Sequence, residues 1–488
     1  MKGFYINVCP PSIPSTFEES LLTTKVSDSL TAIHKADYLF STSTLQMVGW
    51  FIYAGKLNNF EALANDIKTL GLQAIENIEF GVYSGVLTLD KNDYFFVDKM
   101  GLSLHFLYKY QGKVVIAAAL QTIKDNFALT ISNLHESILE KRGHLFGTST
   151  KYQDVVCIPP GGVVSLQNGE IIAKKSLDDL IKPTSNQIEQ IPSQIKSLIK
   201  SIPMHKRSLA LSGGFDSRLI LSQSDMQDGY CYGPPNSADR PIARQFKHNF
   251  NNFYEFEFDG ISATSKEAEV FDFLVESPCM YNNAHFINAY HTAFELTENT
   301  DFFFDGYLGD VFKRGTYLYF PGLLGELYRF FPVLYKVRPL KAKDLLKKRY
   351  INLNNQEFDV LYKDFKLETD SLNLCDYNKV TLYEAFFARG RRYISRGALV
   401  INGCFKEVVP VFMSPDLQSV FAKQNYCDAV AFKSIKKIWQ NVDSYYKTKK
   451  FENGYTLNTP SFMMPKLALL YRLLINYVPS FQNYSTKK

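Results

Sequence analysis

Residues 208–221 read SLALSGGFDSRLIL. The apolar residues 209–211 predict a buried strand, and the sequence SGG at 212–214 predicts a tight turn. Residues 217–221 begin an amphipathic pattern that is typical of a helix. The chain is therefore expected to pass from a strand, through a glycine turn, into the N-terminus of a helix.

A turn of this kind can bind an anion. Gly213 and Gly214 allow successive backbone N–H groups to point into one concavity, and the helix dipole adds partial positive charge. The hydroxyls of Ser212 and Ser217 can donate hydrogen bonds to phosphate oxygens. The Asp216 carboxylate would repel phosphate unless a cation lay between them, and Mg²⁺ prefers one or two carboxylates plus phosphate oxygens. The stretch therefore predicts a magnesium and phosphate site, although it lacks the lysine of a Walker loop.

The segment SGGFDS at 212–217 resembles the SGGxDS pyrophosphate loop of the N-type ATP pyrophosphatases, above all of the asparagine synthetase family. That resemblance implies two domains, α+β and α/β. The first would be a degenerate N-terminal-nucleophile glutaminase-like α+β sandwich, and the second an α/β parallel-sheet synthetase domain of the adenine nucleotide α-hydrolase type. The resemblance also implies that ATP is cleaved between its α and β phosphates. The alternative interpretation is a chance Gly-Gly turn between a strand and a helix.

Length and composition indicate a globular protein of two or three domains. Its 488 residues are 46% hydrophobic and 21% charged, and a net charge of +5 that includes 49 acidic residues does not favour nucleic acid as a partner. The seven cysteines are scattered without a CxxC pair, which favours reduced thiols and a cytoplasmic location. We expect neither a signal peptide nor an integral membrane segment, because no stretch is long and apolar enough.

The pattern along the chain predicts the domain boundaries. Residues 1–170 contain short strands separated by turns, and are expected to form the glutaminase-like domain. Residues 171–200 are polar, as expected of a linker with a connecting helix. Residues 201–488 are expected to form the asparagine synthetase-like ATP pyrophosphatase domain, whose alternating strands and helices imply a parallel sheet with the nucleotide at its C-terminal edge.

The resemblance implies that the first domain has lost its glutaminase activity. Lys2 stands where the family has a nucleophilic cysteine, whose free α-amine acts as the base. Ala54 stands where the family has an asparagine of the oxyanion hole, and Lys56 where it has an acidic residue. The domain is therefore expected to keep its fold without its chemistry.

A second acidic turn lies in residues 301–310, which read DFFFDGYLGD after an apolar strand. It resembles the SGEGADE segment of the family. The resemblance implies that Asp305 and Gly306 lie near the ribose, and that Asp310 shares the metal ion with Asp216. Two carboxylates at the ends of adjacent strands would then clamp the metal and the pyrophosphate.

Tyr307 resembles the tyrosine of β-lactam and carbapenam synthetases, which have Gly-Tyr here and also lack the N-terminal cysteine. In those enzymes the tyrosine works with a glutamate to deprotonate an amine, because a tyrosine alone is a weak base at neutral pH. Spacing places Ile394 about where that glutamate should be, and Glu384 lies nearby in sequence. β-Lactam formation is therefore not predicted.

Further contacts follow from the resemblance. Tyr232 and Gly233, at the end of a second strand, would lie beside the adenine, although Tyr232 could equally be a core residue. Lys449 would stabilise the pyrophosphate, with Lys450 or Lys447 as substitutes and a basic surface run as the alternative. The predicted ATP and pyrophosphate contacts are Leu211, Ser212, Gly213, Gly214, Asp216, Ser217, Tyr232, Gly233, Asp305 and Gly306.

Residues 314–350 are rich in aromatic, leucine and basic positions. They could recognise an apolar or lipid-linked substrate at a membrane surface. Such a stretch is more often the inner face of packed helices, and we favour that interpretation. Arg389, Arg391, Arg392 and Arg396 could bind pyrophosphate or a substrate carboxylate, or form a solvated charged face.

These patterns predict an ATP-dependent amide-forming ligase. It would adenylate a substrate carboxylate, release pyrophosphate, and transfer the acyl group to ammonia or an amine. The expected cofactors are ATP and Mg²⁺, the metal ligands Asp216 and Asp310, and the catalytic residues Lys449 and Tyr307. The alternatives are an intramolecular lactam or macrolactam cyclase and a non-catalytic nucleotide-binding protein. The substrates would be a small-molecule or peptide carboxylate and ammonia or an amine. A second copy of the chain or a separate ammonia-supplying subunit would be the protein partner.

Overall fold

A computed structural model describes residues 2–181, 186–233, 237–257 and 287–477. Its strands are β1 (Gly3–Ile6), β2 (Leu22–Lys25), β3 (Leu30–His34), β4 (Leu39–Ser41), β5 (Leu45–Tyr53), β6 (Lys56–Leu57), β7 (Phe80–Leu89), β8 (Asn92–Val97), β9 (Phe106–Tyr110), β10 (Lys113–Ala117), β11 (Val155–Cys157), β12 (Val163–Ser165), β13 (Ile171–Ala173), β14 (Arg207–Ala210), β15 (Met226–Gly233), β16 (Phe250–Glu257), β17 (Phe302–Asp305) and β18 (Glu407–Pro410).

The α-helices span Phe60–Leu70, Gln73–Glu76, Leu120–Asn126, Asn133–Arg142, Leu177–Leu180, Ile191–Lys200, Phe215–Leu221, Asp239–Ala243, Ile287–Leu296, Gly309–Arg314, Leu323–Phe330, Leu334–Val337, Ala342–Arg349, Asn355–Thr369, Asp376–Phe386, Asn402–Phe405, Pro415–Lys423, Tyr426–Val430, Lys433–Ile438, Ser444–Thr448 and Met464–Tyr477. Two π-helical segments, Gly390–Ile394 and Arg396–Ile401, follow the helix that ends at Phe386. None of the helices in the described ranges is long and apolar enough to cross a membrane.

Two antiparallel sheets form the first part of the chain. One has the order β11-β9-β10-β1-β3-β2, and the other has the order β13-β12-β8-β7-β5-β4 with β6 paired to β5. Side chains alternate between the two faces of a strand, so every second residue of each sheet points into the space between them. Phe4, Ile116, Val86 and Phe95 meet there in one buried cluster. The helix Phe60–Leu70 covers the outer face of the second sheet.

A five-stranded parallel sheet forms the centre of the second part, with the order β16-β15-β14-β17-β18. In the central strands Leu209 lies opposite both Gly229 and Phe304. The three buried phenylalanines at 302–304 of β17 suit a strand that is covered on both faces. Because β14 and β17 are parallel neighbours, the turns that follow them meet at one edge of the sheet.

The two parts share a continuous hydrophobic core. The Trp50 indole Nε1–H of the antiparallel part donates to the Val408 carbonyl of the parallel sheet at 2.9 Å. Arg391 donates to the carbonyls of Gly101 and Ile158. This buried arginine therefore holds the two parts together, rather than presenting a charge to a ligand.

The chain is thus mixed α/β, with two antiparallel sheets and one parallel sheet, as predicted. The antiparallel strands end at Ala173 and the parallel strands begin at Arg207. The proposed division into residues 1–170, 171–200 and 201–488 stays a prediction.

Candidate functional site

The turn after β14 has the predicted local structure. The strand ends at Ala210, and the helix Phe215–Leu221 begins after Gly214, whose backbone is extended. The Leu211 N–H donates to the Tyr230 carbonyl at 2.9 Å, which continues the pairing with β15. The two serines of the turn face each other, with their Oγ atoms 3.2 Å apart.

Three N–H groups of this turn already have acceptors within the protein. The Ser212 N–H donates to the Ser217 hydroxyl at 3.1 Å, and the Gly214 N–H donates to the Ser212 hydroxyl at 3.2 Å. The Gly213 N–H donates to the Asp239 carboxylate at 2.6 Å. An anion that binds to this turn must therefore replace acceptors that the protein itself supplies.

Asp239 is the acceptor that sequence reasoning missed. Burial raises the pKa of its carboxyl group, and the hydrogen bond from Gly213 opposes that rise. A Cβ atom on residue 213 would lie 2.8 Å from the Asp239 oxygen and 3.0 Å from Ile242. Only glycine lets the backbone approach Asp239 this closely.

Arg218 fastens a distant segment to the turn. Its guanidinium is fully buried, lies 3.8 Å from the centre of the Phe451 ring, and donates to the carbonyls of Lys449 and Lys450 at 3.0 and 2.8 Å. Burial lowers the pKa of Arg218 to about 9. The Glu452 N–H donates to the Gly213 carbonyl at 3.1 Å. Residues 449–452 therefore line the turn.

The backbone of Lys449 thus reaches the predicted region, through its carbonyl. The Lys449 ammonium lies 5.2 Å from the centre of the Tyr445 ring. No contact in the structure tests its catalytic role, which stays a prediction. Glu452, which the sequence analysis did not single out, lies closer to Gly213, and burial raises the pKa of its carboxyl group to about 7.

Asp216 lies against the second acidic turn, residues 305–310, because β14 and β17 are parallel neighbours. A Cβ atom on residue 306 would lie 2.7 Å from the Asp216 Cβ, so Gly306 packs directly against the first turn. Leu308 adopts a left-handed conformation, with φ 58°, before the helix Gly309–Arg314 begins. Such a conformation is unfavourable for leucine and often occurs at functional turns.

Each predicted metal ligand is paired with a basic side chain of that helix. Lys313, fully buried, forms an ion pair with Asp216, and Arg314 forms one with Asp310. Burial lowers the pKa of Lys313 well below its usual value. The Lys313 ammonium also lies 4.4 Å from the centre of the Phe412 ring.

This arrangement does not fit a divalent ion held between the two carboxylates, because the side chains of Lys313 and Arg314 already lie against them. In the part of the chain that the structure describes, no group of three or more histidine, cysteine, aspartate or glutamate side chains could hold a metal ion. The magnesium site stays a prediction without support from the geometry.

Asp305 and Tyr307 lie at the base of the same turn. Burial raises the pKa of Asp305 to about 7, although the Tyr307 N–H opposes that rise. The Tyr307 hydroxyl is buried and donates to the Gly390 carbonyl at 2.8 Å. Burial raises the pKa of Tyr307 well above its usual value, which disfavours it as a base.

Glu384 does not pair with Tyr307. Its carboxylate accepts hydrogen bonds from Arg349 and from the Tyr350 hydroxyl, each at 2.9 Å. The pair of a tyrosine and a glutamate that a β-lactam-forming enzyme would need is therefore not assembled by these two residues. The catalytic role of Tyr307 stays a prediction.

The predicted adenine side lies at the end of β15. The Tyr232 ring is stacked with Tyr230 and with Phe256, at centroid distances of 6.3 and 5.7 Å. A Cβ atom on residue 233 would lie 2.6 Å from the Ser237 hydroxyl oxygen, so this position requires glycine. Tyr232 has the stacking contacts of a packed residue, and its contact with adenine stays a prediction.

The positions that resemble a glutaminase site have structural contacts. The Lys2 ammonium forms an ion pair with the buried Glu407 at 2.6 Å. Ala54 is exposed in a left-handed turn with φ 48°. Lys2 therefore joins the two parts of the chain.

Neither a scan against protein-family models nor a search of the curated proteins found a match to this chain.

Proposed function

We propose that this chain is an AMP-forming carbon–nitrogen ligase that binds ATP at the turn 212–217. The observation that supports the proposal is the meeting of this turn with the acidic turn 305–310 at the carboxyl edge of a parallel sheet. Nucleotides bind at that edge in open α/β sheets. The proposal includes the fold: a synthetase domain of the asparagine synthetase type follows a glutaminase-like sandwich that has no glutaminase activity.

The proposed reaction has two steps. A substrate carboxylate attacks the α-phosphorus of ATP, the bond between the α-phosphorus and the bridging oxygen breaks, and pyrophosphate leaves. Ammonia or an amine then attacks the acyl carbon, loses a proton to the solvent, and displaces AMP. The products are the amide, AMP and pyrophosphate, and neither step needs an oxidant or a reductant.

The residues of the turn would bind the pyrophosphate. Their N–H groups and hydroxyls can donate to its oxygens once Asp239 releases Gly213. Lys313 and Arg314 would supply the positive charge that the departing phosphates need. Both side chains are already held at the site by Asp216 and Asp310. No step of this proposal passes through a metal ion.

The test is to incubate the purified protein with ATP, MgCl₂ and a mixture of cell metabolites, and to separate AMP from ADP. The Asp216→Ala variant serves as the comparison, and Asp301→Ala, at the opposite edge of the sheet, as the matched control. We expect AMP and pyrophosphate from the wild type and the control only. Formation of ADP, or equal AMP formation by Asp216→Ala, would contradict the proposal.

A non-catalytic nucleotide-binding protein is the second candidate. It is favoured by the pairing of both carboxylates with basic side chains, since no metal ion then lies between them to assist phosphoryl chemistry. ATP binding in calorimetry, with no AMP from any carboxylate and amine supplied, would support this second function over the first.

A further inference from the structure

More than half of the exposed large hydrophobic side chains in the described ranges lie in two short stretches, 323–337 and 462–473. They are Leu323, Leu324, Leu327, Phe330, Phe331, Val333, Val337, Phe462, Met463, Leu470 and Leu473. The helices Leu323–Phe330 and Met464–Tyr477 pack against each other, so the two stretches form one surface. We call this surface the apolar face.

The exposure of the apolar face differs from the prediction for this region. Residues 314–350 were expected to be the inner face of packed helices, and Tyr317 and Tyr328 are indeed buried. Leu323, however, is 81% exposed, and Val337 is 63% exposed. Phe462, on the neighbouring stretch, is 66% exposed. Large contiguous apolar surfaces of this kind mark sites of interaction.

A groove of about 310 Å³ lies within the apolar face. Its lining includes three aromatic rings, those of Phe330, Phe331 and Phe462. The Lys466 ammonium lies 5.3, 6.0 and 5.8 Å from the centres of these rings. Lys336 and Lys433 also line the groove, as does Asp428, which lies 3.6 Å from the Lys433 ammonium. Aromatic rings and lysines therefore occur together at this surface.

Basic side chains border the apolar face in sequence, and Lys336 among them also lines its groove. The exposed ones between residues 336 and 347 are Lys336, Arg338, Lys341, Lys343 and Lys347. Asp344 is the single acidic residue of that stretch. The border therefore carries a strong local positive charge, although the whole chain has a net charge of only +5.

We propose that the apolar face binds the surface of a membrane that contains anionic lipids. The exposed leucines, valines and phenylalanines would enter the boundary between headgroups and acyl chains, and the lysines would contact the lipid phosphates. This is the arrangement of a protein that lies on a membrane. It involves surface residues alone and does not depend on the chemistry proposed for the turn 212–217.

The charge favours a membrane over a second copy of this chain. A twofold contact places the same patch of two subunits face to face, so Lys336 and Lys466 of each copy would meet the lysines of the other. Lysine is also depleted at protein interfaces, whereas clusters of lysine and arginine beside an amphipathic helix are typical of binding to anionic lipids.

The experiment is co-sedimentation of the full chain with vesicles of phosphatidylcholine, with and without phosphatidylglycerol. Two double variants are compared with the wild type: Leu323→Ser with Phe462→Ser, and Lys336→Glu with Arg338→Glu. Leu367→Ser is the matched control, because Leu367 is 72% exposed on a helix outside the apolar face. Circular dichroism checks that every variant is folded, and light scattering gives its oligomeric state.

We expect the wild type and Leu367→Ser to sediment with vesicles that contain phosphatidylglycerol, and less so at high salt. Each double variant should bind about tenfold more weakly or worse. The proposal is overturned if the wild type ignores these vesicles, or if the control loses as much binding as the double variants. It is also overturned if the wild type is a dimer that Leu323→Ser with Phe462→Ser converts to a monomer, since a second copy would then cover the face.

Discussion

The parallel sheet has buried charges at the amino ends of its strands, here called the amino edge, and at their carboxyl ends, the carboxyl edge. The two sets of charges have different surroundings. At the amino edge, the Lys406 ammonium donates to the carbonyls of Thr297 and Thr300, and Lys2 pairs with the fully buried Glu407. At the carboxyl edge, Lys313 pairs with Asp216, whose side chain keeps 22% of its exposure. Buried charge alone therefore does not identify a site.

What distinguishes the carboxyl edge is its glycines, since exposure is similar at the two edges: Asp310 keeps 40% of its side-chain exposure, and Asp301, at the amino edge, keeps 37%. Both acidic turns of the carboxyl edge contain glycines that bring the backbone close to carboxylates. At the amino edge the antiparallel part of the chain instead contributes Lys2 and Lys35. We infer that ligand chemistry belongs to the carboxyl edge, and that the ion pairs of the amino edge join the two parts.

The largest expected effect is on AMP formation, which should depend on Lys313 and not on Lys406. Lys313→Met should reduce AMP formation by at least about a hundredfold, because it removes positive charge beside the phosphates. Lys406→Met should leave AMP formation per folded molecule unchanged. Assays at matched concentrations of folded protein measure both. If Lys406→Met were as inactive as Lys313→Met, the distinction between the edges would be lost.

The second effect is on stability. Lys2→Met leaves Glu407 buried without its ion-pair partner, which should lower the free energy of unfolding by about 3 kcal/mol. Lys25→Met is the control, because Lys25 pairs with Asp28 at the surface and such pairs contribute little. Urea unfolding measures both variants. A similar stability of the two would mean that the amino edge does not depend on this pair.

A smaller effect is expected in the opposite direction at the turn. Asp239→Ala removes the acceptor of the Gly213 N–H and a negative charge, so ATP should bind about fivefold more tightly. Isothermal calorimetry measures the affinity. Asp225→Ala is the control, because Asp225 lies beyond the C-terminus of the helix Phe215–Leu221. Weaker binding by Asp239→Ala would show instead that Asp239 contributes to the bound state.

The last effect concerns the pH dependence of stability rather than its value at one pH. Burial raises the pKa of Asp305 from 3.8 to about 7, so the folded protein binds more protons than the unfolded chain between these values. The contribution of Asp305 to stability therefore falls as the pH rises from about 4 to 7. Asp305→Asn should remove that fall.

Lys406 has the opposite effect on the pH dependence of stability, and in a different pH range. Burial lowers its pKa from 10.5 to about 7, so the unfolded chain binds more protons between pH 7 and 10. The penalty of Lys406 is full below pH 7 and is relieved as the pH rises. Lys406→Met should flatten the alkaline part of the profile alone. Urea unfolding across the pH range measures both variants, and unchanged profiles would contradict both assignments.

Several elements of the site could be predicted from the sequence. The strand, turn and helix of 207–221 depend on local apolar and glycine patterns, which the neighbouring residues already contain. The meeting of Asp216 with the turn 305–310 follows from the parallel sheet, because adjacent strand ends share one edge. Both inferences use spacing along the chain or a general rule of topology.

The partners of these residues could not be predicted in this way. Arg218 donates to carbonyls more than two hundred positions away, and the Asp239 carboxylate accepts from Gly213 across a strand and a loop. Tyr307 was expected to be catalytic, yet its hydroxyl contacts a carbonyl 83 positions later. Such contacts depend on how the helices pack around the sheet, and no local pattern encodes them.

The sequence by itself determined the strand, turn and helix at SGGFDS, the alternation that builds a parallel sheet, and the separation of antiparallel from parallel strands along the chain. Tertiary structure alone decided that Lys313 and Arg314 pair with the two carboxylates, and that Leu323 and Phe462 face outward. The physical reason is that a periodic pattern specifies which side of an element is apolar. Whether another element covers that side, or which charge lies opposite a carboxylate, depends on distant parts of the chain.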